Sequence, residues 1–185
     1  MKKILTACIA LALAMPVFSQ KIIRNYSFEY LDALGKPISW APQNSDGKYA
    51  FSLDTLVART GKLSVLIKRK TDTGPEKTIG LCNTVITRPL LAGKKKITIT
   101  AYIKTENVTE GVASIWMQLN GNGRIVADKN SDAHGVSGTK DWTQHTIELP
   151  LSEEVASIGF GCKMSGKGNA WFDDFEVRVD GVLLE

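Results

Sequence analysis

Hydrophobic and polar residues alternate along this chain with the period of β-strands. In the clearest run Ile97, Ile99, Ala101 and Ile103 interleave with Thr98, Thr100, Tyr102 and Lys104, so an extended segment there has one apolar and one polar face. Ala113, Ile115, Met117 and Leu119 repeat the pattern against Ser114, Trp116 and Gln118. Ile158, Phe160, Cys162 and Met164 do so against Gly159, Gly161 and Lys163. Near the C-terminus Trp171, Phe175, Val177 and Val179 are set against Phe172, Glu176 and Arg178. Shorter runs at 22–26, 49–53, 63–69, 79–87, 123–128 and 143–149 read as further strands.

Turn-forming clusters separate these runs, at Leu34-Gly35-Lys36-Pro37, Thr60-Gly61-Lys62, Asn120-Gly121-Asn122-Gly123 and Ser165-Gly166-Lys167-Gly168-Asn169. The Asn120–Gly123 cluster lies between two alternating runs and predicts a hairpin. No segment shows sustained helical periodicity with caps. About ten antiparallel strands predict one all-β domain, a β-sandwich or jelly roll.

The first residues carry a different signal. Lys2 and Lys3 precede an uncharged apolar stretch from Ile4 to Met15, and Val17-Phe18-Ser19 offers a small-residue cleavage site. Residues 1–20 therefore read as a signal peptide cleaved near Ser19 or Gln20, followed by a domain over 21–185. A periplasmic or secreted location is expected. Leu5-Thr6-Ala7-Cys8 also looks like a lipobox, but cleavage before Cys8 would leave an apolar region of only a few residues. The apolar stretch falls short of the roughly 20 residues that span a bilayer, and no later run approaches that length, so no integral membrane segment is expected in the mature chain.

Composition narrows the function classes. Removing the first 19 residues takes two lysines from 23 basic residues and none of the 19 acidic ones, leaving a net charge of +2. That balance is not the surface of a nucleic-acid binder. Two cysteines remain, Cys82 and Cys162. An oxidising compartment permits a disulfide between them, and two separate buried thiols are the other reading. They lack the close ligand spacing of a Cys/His metal site.

Several phrases gain meaning in their order: Asn25-Tyr26-Ser27-Phe28-Glu29, Pro37-Ile38-Ser39-Trp40, Gly61-Lys62-Leu63-Ser64, the run from Gly93 to Thr105, Gly138-Thr139-Lys140-Asp141-Trp142, and Trp171-Phe172-Asp173-Asp174-Phe175-Glu176-Val177. Together they resemble the galactose-binding-like jelly rolls, in particular carbohydrate-binding modules of the family 4, 9 and 22 type. Similar domains precede the catalytic part of some secreted peptidases and erythromycin-esterase-like hydrolases. The resemblance spans roughly residues 22–182 and implies fold more than function, because the fold is widely reused. It implies one structural calcium where the first and last strands meet. The matching positions are Glu29 in the opening phrase, Asp173 and Asp174 in the closing one, and carbonyls near Gly61 and Lys62, since calcium requires several converging oxygens.

No catalytic constellation is found. Ser131, Asp132 and His134 lie too close in one loop to converge as a triad, and no nucleophile-elbow motif is present. Glu153 and Glu154 are adjacent and diverge, unlike paired glycosidase carboxylates. The polar side of the alternating runs carries more. If the aliphatic residues of 97–103 and 113–119 face the core, Tyr102, Trp116 and Gln118 project from the other side. Gly159 and Gly161 leave a groove there, with Lys163 and Thr100 as polar neighbours. Aromatic rings stack on the apolar faces of sugars while amides and charges bond hydroxyls. The resemblance places a ligand cleft on the concave sheet. The chain is thus expected to be an exported, non-catalytic binding module for an oligo- or polysaccharide, or else an accessory domain that contacts another exported protein.

Overall fold

The computed structural model describes residues 24–43, 47–70 and 79–184. The expected signal peptide over residues 1–20 lies outside the described residues. Among the described residues ten strands follow one another: β1 Ala41–Gln43, β2 Tyr49–Asp54, β3 Ser64–Arg69, β4 Ile79–Thr87, β5 Lys96–Gly121, β6 Arg124–Asn130, β7 Val136–Pro150, β8 Ser157–Ser165, β9 Lys167–Val179 and β10 Val182–Leu183. Every pairing is antiparallel. The molecule is an all-β jelly-roll sandwich, as the alternation predicts.

The two predicted runs at 97–103 and 113–119 are halves of one strand. The first half of β5 pairs with β7 and β9, and β9 continues through β3 to β2, which makes the first layer. The second half pairs with β6 and β8, and β8 continues through β4 to β1, which makes the second layer. Between them the register against β7 and β9 shifts, and Asn107 and Glu110 take positive φ of 54° and 59°. The β8–β9 turn packs across this seam. Gly166 has a φ of 77°, and a Cβ on it would stand 2.2 Å from the Thr109 carbonyl oxygen, so only glycine fits that crossing.

The layers close on one core. Ile97, Ile99, Ala101 and Ile103 from the first half of β5 are fully buried, as are Ile115, Met117 and Leu119 from the second. An aromatic cluster ties the layers together: Phe160 of β8 and Phe175 of β9 lie 6.1 Å apart between ring centroids, and Trp40 packs 5.0 Å from Phe175 and 4.6 Å from Phe28. Such tilted arrangements suit the ring quadrupoles.

Two expectations are corrected. Of the strand expected over 22–26, residues 22 and 23 lie outside the described residues, and 24–26 belong to an irregular segment closed by the buried Asn25. Its amide accepts from Tyr30 N at 2.9 Å and donates to the Tyr30 carbonyl at 2.7 Å, taking the place of ladder bonds, while its own carbonyl accepts from Trp40 Nε1 at 2.7 Å. In β9 the predicted faces of Trp171 and Phe172 are exchanged. The register slips between Tyr102↔Asp173 and Thr100↔Glu176, with Asp174 at a φ of 49°. This bulge switches the parity, so Phe172 enters the core and Trp171 points outward, its Nε1 donating to Asp54 Oδ2 at 2.8 Å.

Removing the ring that bridges the layers should be costly. Phe160→Ala is expected to lower the unfolding free energy by about 3–5 kcal/mol, whereas Leu34→Ala, at 80% exposure, should stay within about 0.5 kcal/mol. Urea denaturation of the two variants beside wild type measures both.

Candidate functional site

The outer face of the second layer is a sheet surface whose rows follow from register. Asn83 of β4, Gly161 of β8 and Trp116 of β5 stand side by side, and Trp116 continues to Asn130 of β6. The next row is Val85, Gly159, Gln118 and Asp128. Side chains alternate across a strand, so these residues share one face while Cys82, Phe160, Met117 and Cys162 point into the core. The missing side chain at Gly159 leaves space on this face of β8, whereas a Cβ on Gly161 would stand 2.1 Å from the Cys82 carbonyl oxygen, so glycine there allows the close approach of β4. Trp116 lies beside Gly159, where a Cβ would stand 3.6 Å from the Cη2 and 3.8 Å from the Cζ3 of the indole.

The result is an open cleft of about 570 Å³ with the Trp116 ring on its floor. Its polar lining is dominated by amides, including Gln43, Asn83, Gln118, Asn120 and Asn130, and Val85 and Ile125 add exposed apolar flanks. Gln118 Nε2 donates to Asn120 Oδ1 at 2.7 Å, which orients both amides. Asn83 Oδ1 and Trp116 Nε1 are buried without a hydrogen-bond partner on either side of Gly161. A buried polar atom left in that condition costs free energy. Lys163 reaches the rim, where its Nζ pairs with Asp132. The same carboxylate accepts from the buried Ser114 hydroxyl at 2.5 Å, so this ammonium is tied to the turn after β6.

Of the ligand positions expected from sequence, Trp116, Gln118 and Lys163 come together here. Tyr102 and Thr100 do not. They lie on the outer face of the first layer, because β5 crosses from one layer to the other between them and Trp116. The Arg59 guanidinium covers the Tyr102 ring at 3.4 Å from its centroid, and the Thr100 hydroxyl bonds that of Thr146 at 3.0 Å. Asn83, Asn120, Asn130 and Gln43 were not anticipated. The outward positions around Asn83 are Leu81 and Val85, as apolar as the inward ones, so β4 shows no alternation that would single it out.

Ser131, Asp132 and His134 are committed separately. The Ser131 hydroxyl accepts from Ile115 N at 3.1 Å, Asp132 holds Lys163 and Ser114, and His134 is exposed.

The positions matched to calcium form a clasp on the first layer. Glu29 Oε1 accepts from the N–H groups of Lys62 and Leu63, both at 2.9 Å. Gly61 allows this approach, since at a φ of 62° its Cβ would stand 2.3 Å from Glu29 Oε1. Asp173 Oδ2 accepts from Arg59 N at 2.8 Å and Thr60 N at 3.3 Å, and Asp174 takes Arg59 Nη1 and the Thr60 hydroxyl, each at 2.6 Å. These carboxylates therefore hold donors, not the free convergent oxygens that calcium needs. Among the described residues no group of three or more His, Cys, Asp or Glu side chains is arranged to hold a metal ion.

No known protein family's model matches the chain. A curated relative, the uncharacterized HTH-type transcriptional regulator YbfP of Bacillus subtilis (strain 168), is 32% identical over 80 residues, which is 43% of this chain and 27% of that protein. The chain thus matches about a quarter of that relative's length. Among solved structures, the CBM22-1 xylan-binding domain of Paenibacillus barcinonensis Xyn10C is similar with a TM-score of 0.53 and 16% identity, over 83% of this chain and 91% of that one. TmCBM61, solved with β-1,4-galactotriose, gives 0.55 and 13%, over 85% and 97%. The Stig cyclase Fisc from Fischerella sp. TAU gives 0.60 and 13%, over 87% and 97%. The fold is that of the galactose-binding-like carbohydrate-binding modules, and it is shared with enzymes.

Within the clasp, burial pushes the Asp173 carboxyl up to about 6, the Asp174 carboxylate adds to the rise, and the N–H donors of Arg59, Asp174 and Thr60 oppose it. The folded chain then binds this proton more tightly than the unfolded chain, where the ordinary value is 3.8. Its stabilising contribution is fully present below about pH 4 and is lost as pH rises through 6. The Asp173 carboxyl carbon is expected to titrate near pH 6 by NMR, against a midpoint near 4 for an exposed aspartate.

Proposed function

We propose that this chain is a non-catalytic binding module that holds a carbohydrate in the cleft over Trp116. The observation that carries the reading is the Trp116 indole lining the cleft beside Gly159, with amide side chains around it. A flat ring meets the C–H face of a pyranose, and amides both donate to and accept from hydroxyls. Val85 and Ile125 extend the apolar contact. Lys163 is held by Asp132, and Asp128 and Lys129 also line the cleft, so hydroxyls can be met by amides and by charged groups. Two solved structures of this fold, one a xylan-binding domain and one in complex with β-1,4-galactotriose, support the same reading. Export fits it, with residues 1–20 as signal peptide and the domain acting in the periplasm or outside the cell. No catalytic role is assigned, since Ser131, Asp132 and His134 each serve a different local contact or none.

Affinity electrophoresis through gels containing xylan, β-1,4-galactan and other polysaccharides tests the reading. Retardation on at least one of them is expected. Trp116→Ala should weaken it by about 30-fold, the scale of about 2 kcal/mol for a buried aromatic anchor. Tyr102→Ala, on the other layer, should leave it unchanged. Migration unaffected by every glycan would sink the sugar reading and favour a protein-contacting accessory domain. Structural calcium at Glu29, Lys62, Asp173 and Asp174 is a separate proposal, because the ion would have to displace the clasp's donors. A rise in Tm on adding millimolar calcium, absent in Asp174→Ala, supports it; equal Tm in calcium and in EDTA counts against it.

A further inference from the structure

Cys82 and Cys162 face each other directly across the β4–β8 ladder. Both are buried on the inner side of the second layer, at 3% and 0% exposure, and both thiols are free. Directly opposed residues of an antiparallel pair have Cα atoms about 4.5 or 5.5 Å apart. Both spacings fall within the roughly 4.4–6.8 Å range of disulfides. We propose that Cys82 and Cys162 form a cross-strand disulfide when the chain folds in an oxidising compartment, and that this bond braces the floor of the cleft from beneath.

The placement supports the second half of that statement. Leu81 and Asn83, the neighbours of Cys82, line the cleft, as does Lys163, the neighbour of Cys162. A bond between the two sulfurs would lock together the strands that carry these residues. Cys82 also borders a cavity of about 400 Å³ that opens where the edge strands β1 and β2 part, with Trp40, Phe51 and Val65 around it.

The chemistry needs an oxidant. One thiolate attacks the disulfide of a dithiol oxidoreductase or of oxidised glutathione and expels a thiolate. The second cysteine, as thiolate, then attacks the protein sulfur of the mixed disulfide and expels the oxidant's second thiolate, so the oxidant leaves as two thiols and the chain has lost two protons and two electrons. Burial pushes the Cys82 thiol up to about 12 and raises that of Cys162 as well. Few thiolates therefore exist in the folded reduced protein, and the bond belongs to the folding stage, before the layers close. It would enclose a loop of roughly 80 residues, which restricts the unfolded chain strongly.

The test uses the full chain carrying Cys8→Ser, so that these two thiols are the only ones. After refolding in a reduced and oxidised glutathione buffer, monomer should show no maleimide labelling under denaturing conditions and a mass lower by about 2 Da than the reduced chain. It should melt about 5–15 °C above the same sample in dithiothreitol. That difference should be absent in the Cys82→Ala/Cys162→Ala double variant, which also serves if single variants fold poorly. Two reactive thiols per chain after such refolding, or covalent dimers on a non-reducing gel, would overturn the proposal. None of these readouts depends on glycan binding.

Discussion

Because β5 runs unbroken from Lys96 to Gly121 through both layers, its apolar side chains must meet the core on each side of the seam. A period-two strand can do this across a bend only if any change of parity is undone. The inward positions at the crossing are Thr105, Val108 and Ala113, all buried. The spacings from the first to the second and from the second to the third are both odd. Each coincides with a slip in register against β7. The two irregularities cancel, so Ile97 to Ile103 and Ile115 to Leu119 share a parity and a core. Without the second, Trp116 and Gln118 would point inward and the cleft would not exist.

The same crossing divides the chemistry of the surface. A sandwich has two outer faces directed away from each other, and β5 contributes to both. On the first layer Tyr102 lies under Arg59, beside a clasp of three carboxylates that anchors the segment before β3. On the second layer the half-buried Trp116 ring lines the cleft beside Gly159. Charge is concentrated where the structure needs a loop held down, and amides are concentrated where the surface is left accessible. Two half-buried aromatic residues on one strand thus have unrelated settings, Tyr102 under a guanidinium and Trp116 lining the cleft.

Much of this architecture is legible in the residues. Alternation marks β5, β7, β8 and β9, and the turn residues Asn122 and Gly123 mark the β5–β6 hairpin. The outward placement of Gly159 and Gly161 and the accessibility of Trp116 can also be read from sequence. The continuity of β5 cannot. Two clean alternating runs look like two strands of one sheet, which is why Tyr102 and Thr100 were grouped with Trp116. The Asp173-Asp174 bulge is hidden for a related reason, since Trp171 and Phe172 are equally apolar and either can be assigned inward. In the opening segment 22–26 has the composition of a strand, but at its described end the buried Asn25 amide closes a turn onto Tyr30, and Trp40 bonds the Asn25 carbonyl from further along the chain.

The cleft is assembled from positions distant in sequence, with Gln43 on β1, Asn83 on β4, Trp116 to Asn120 on β5, Asn130 on β6 and Gly159 to Lys163 on β8. None of these forms a site with its chain neighbours. The surface exists only when β4 has paired with β8 and β8 with the second half of β5. The side chains that bring those strands into register, Phe160 and Met117 among them, lie on the reverse of the same strands. Core and cleft are therefore two faces of one pleated layer, and a substitution that loosens one will disturb the other. Lys163 illustrates the limit of assigning roles by position alone. It stands at the rim of the cleft, yet its ammonium is engaged by Asp132, which also binds Ser114 on the adjoining strand. Its principal effect is to hold the turn after β6 against the sheet, and it shapes the cleft by fixing that edge.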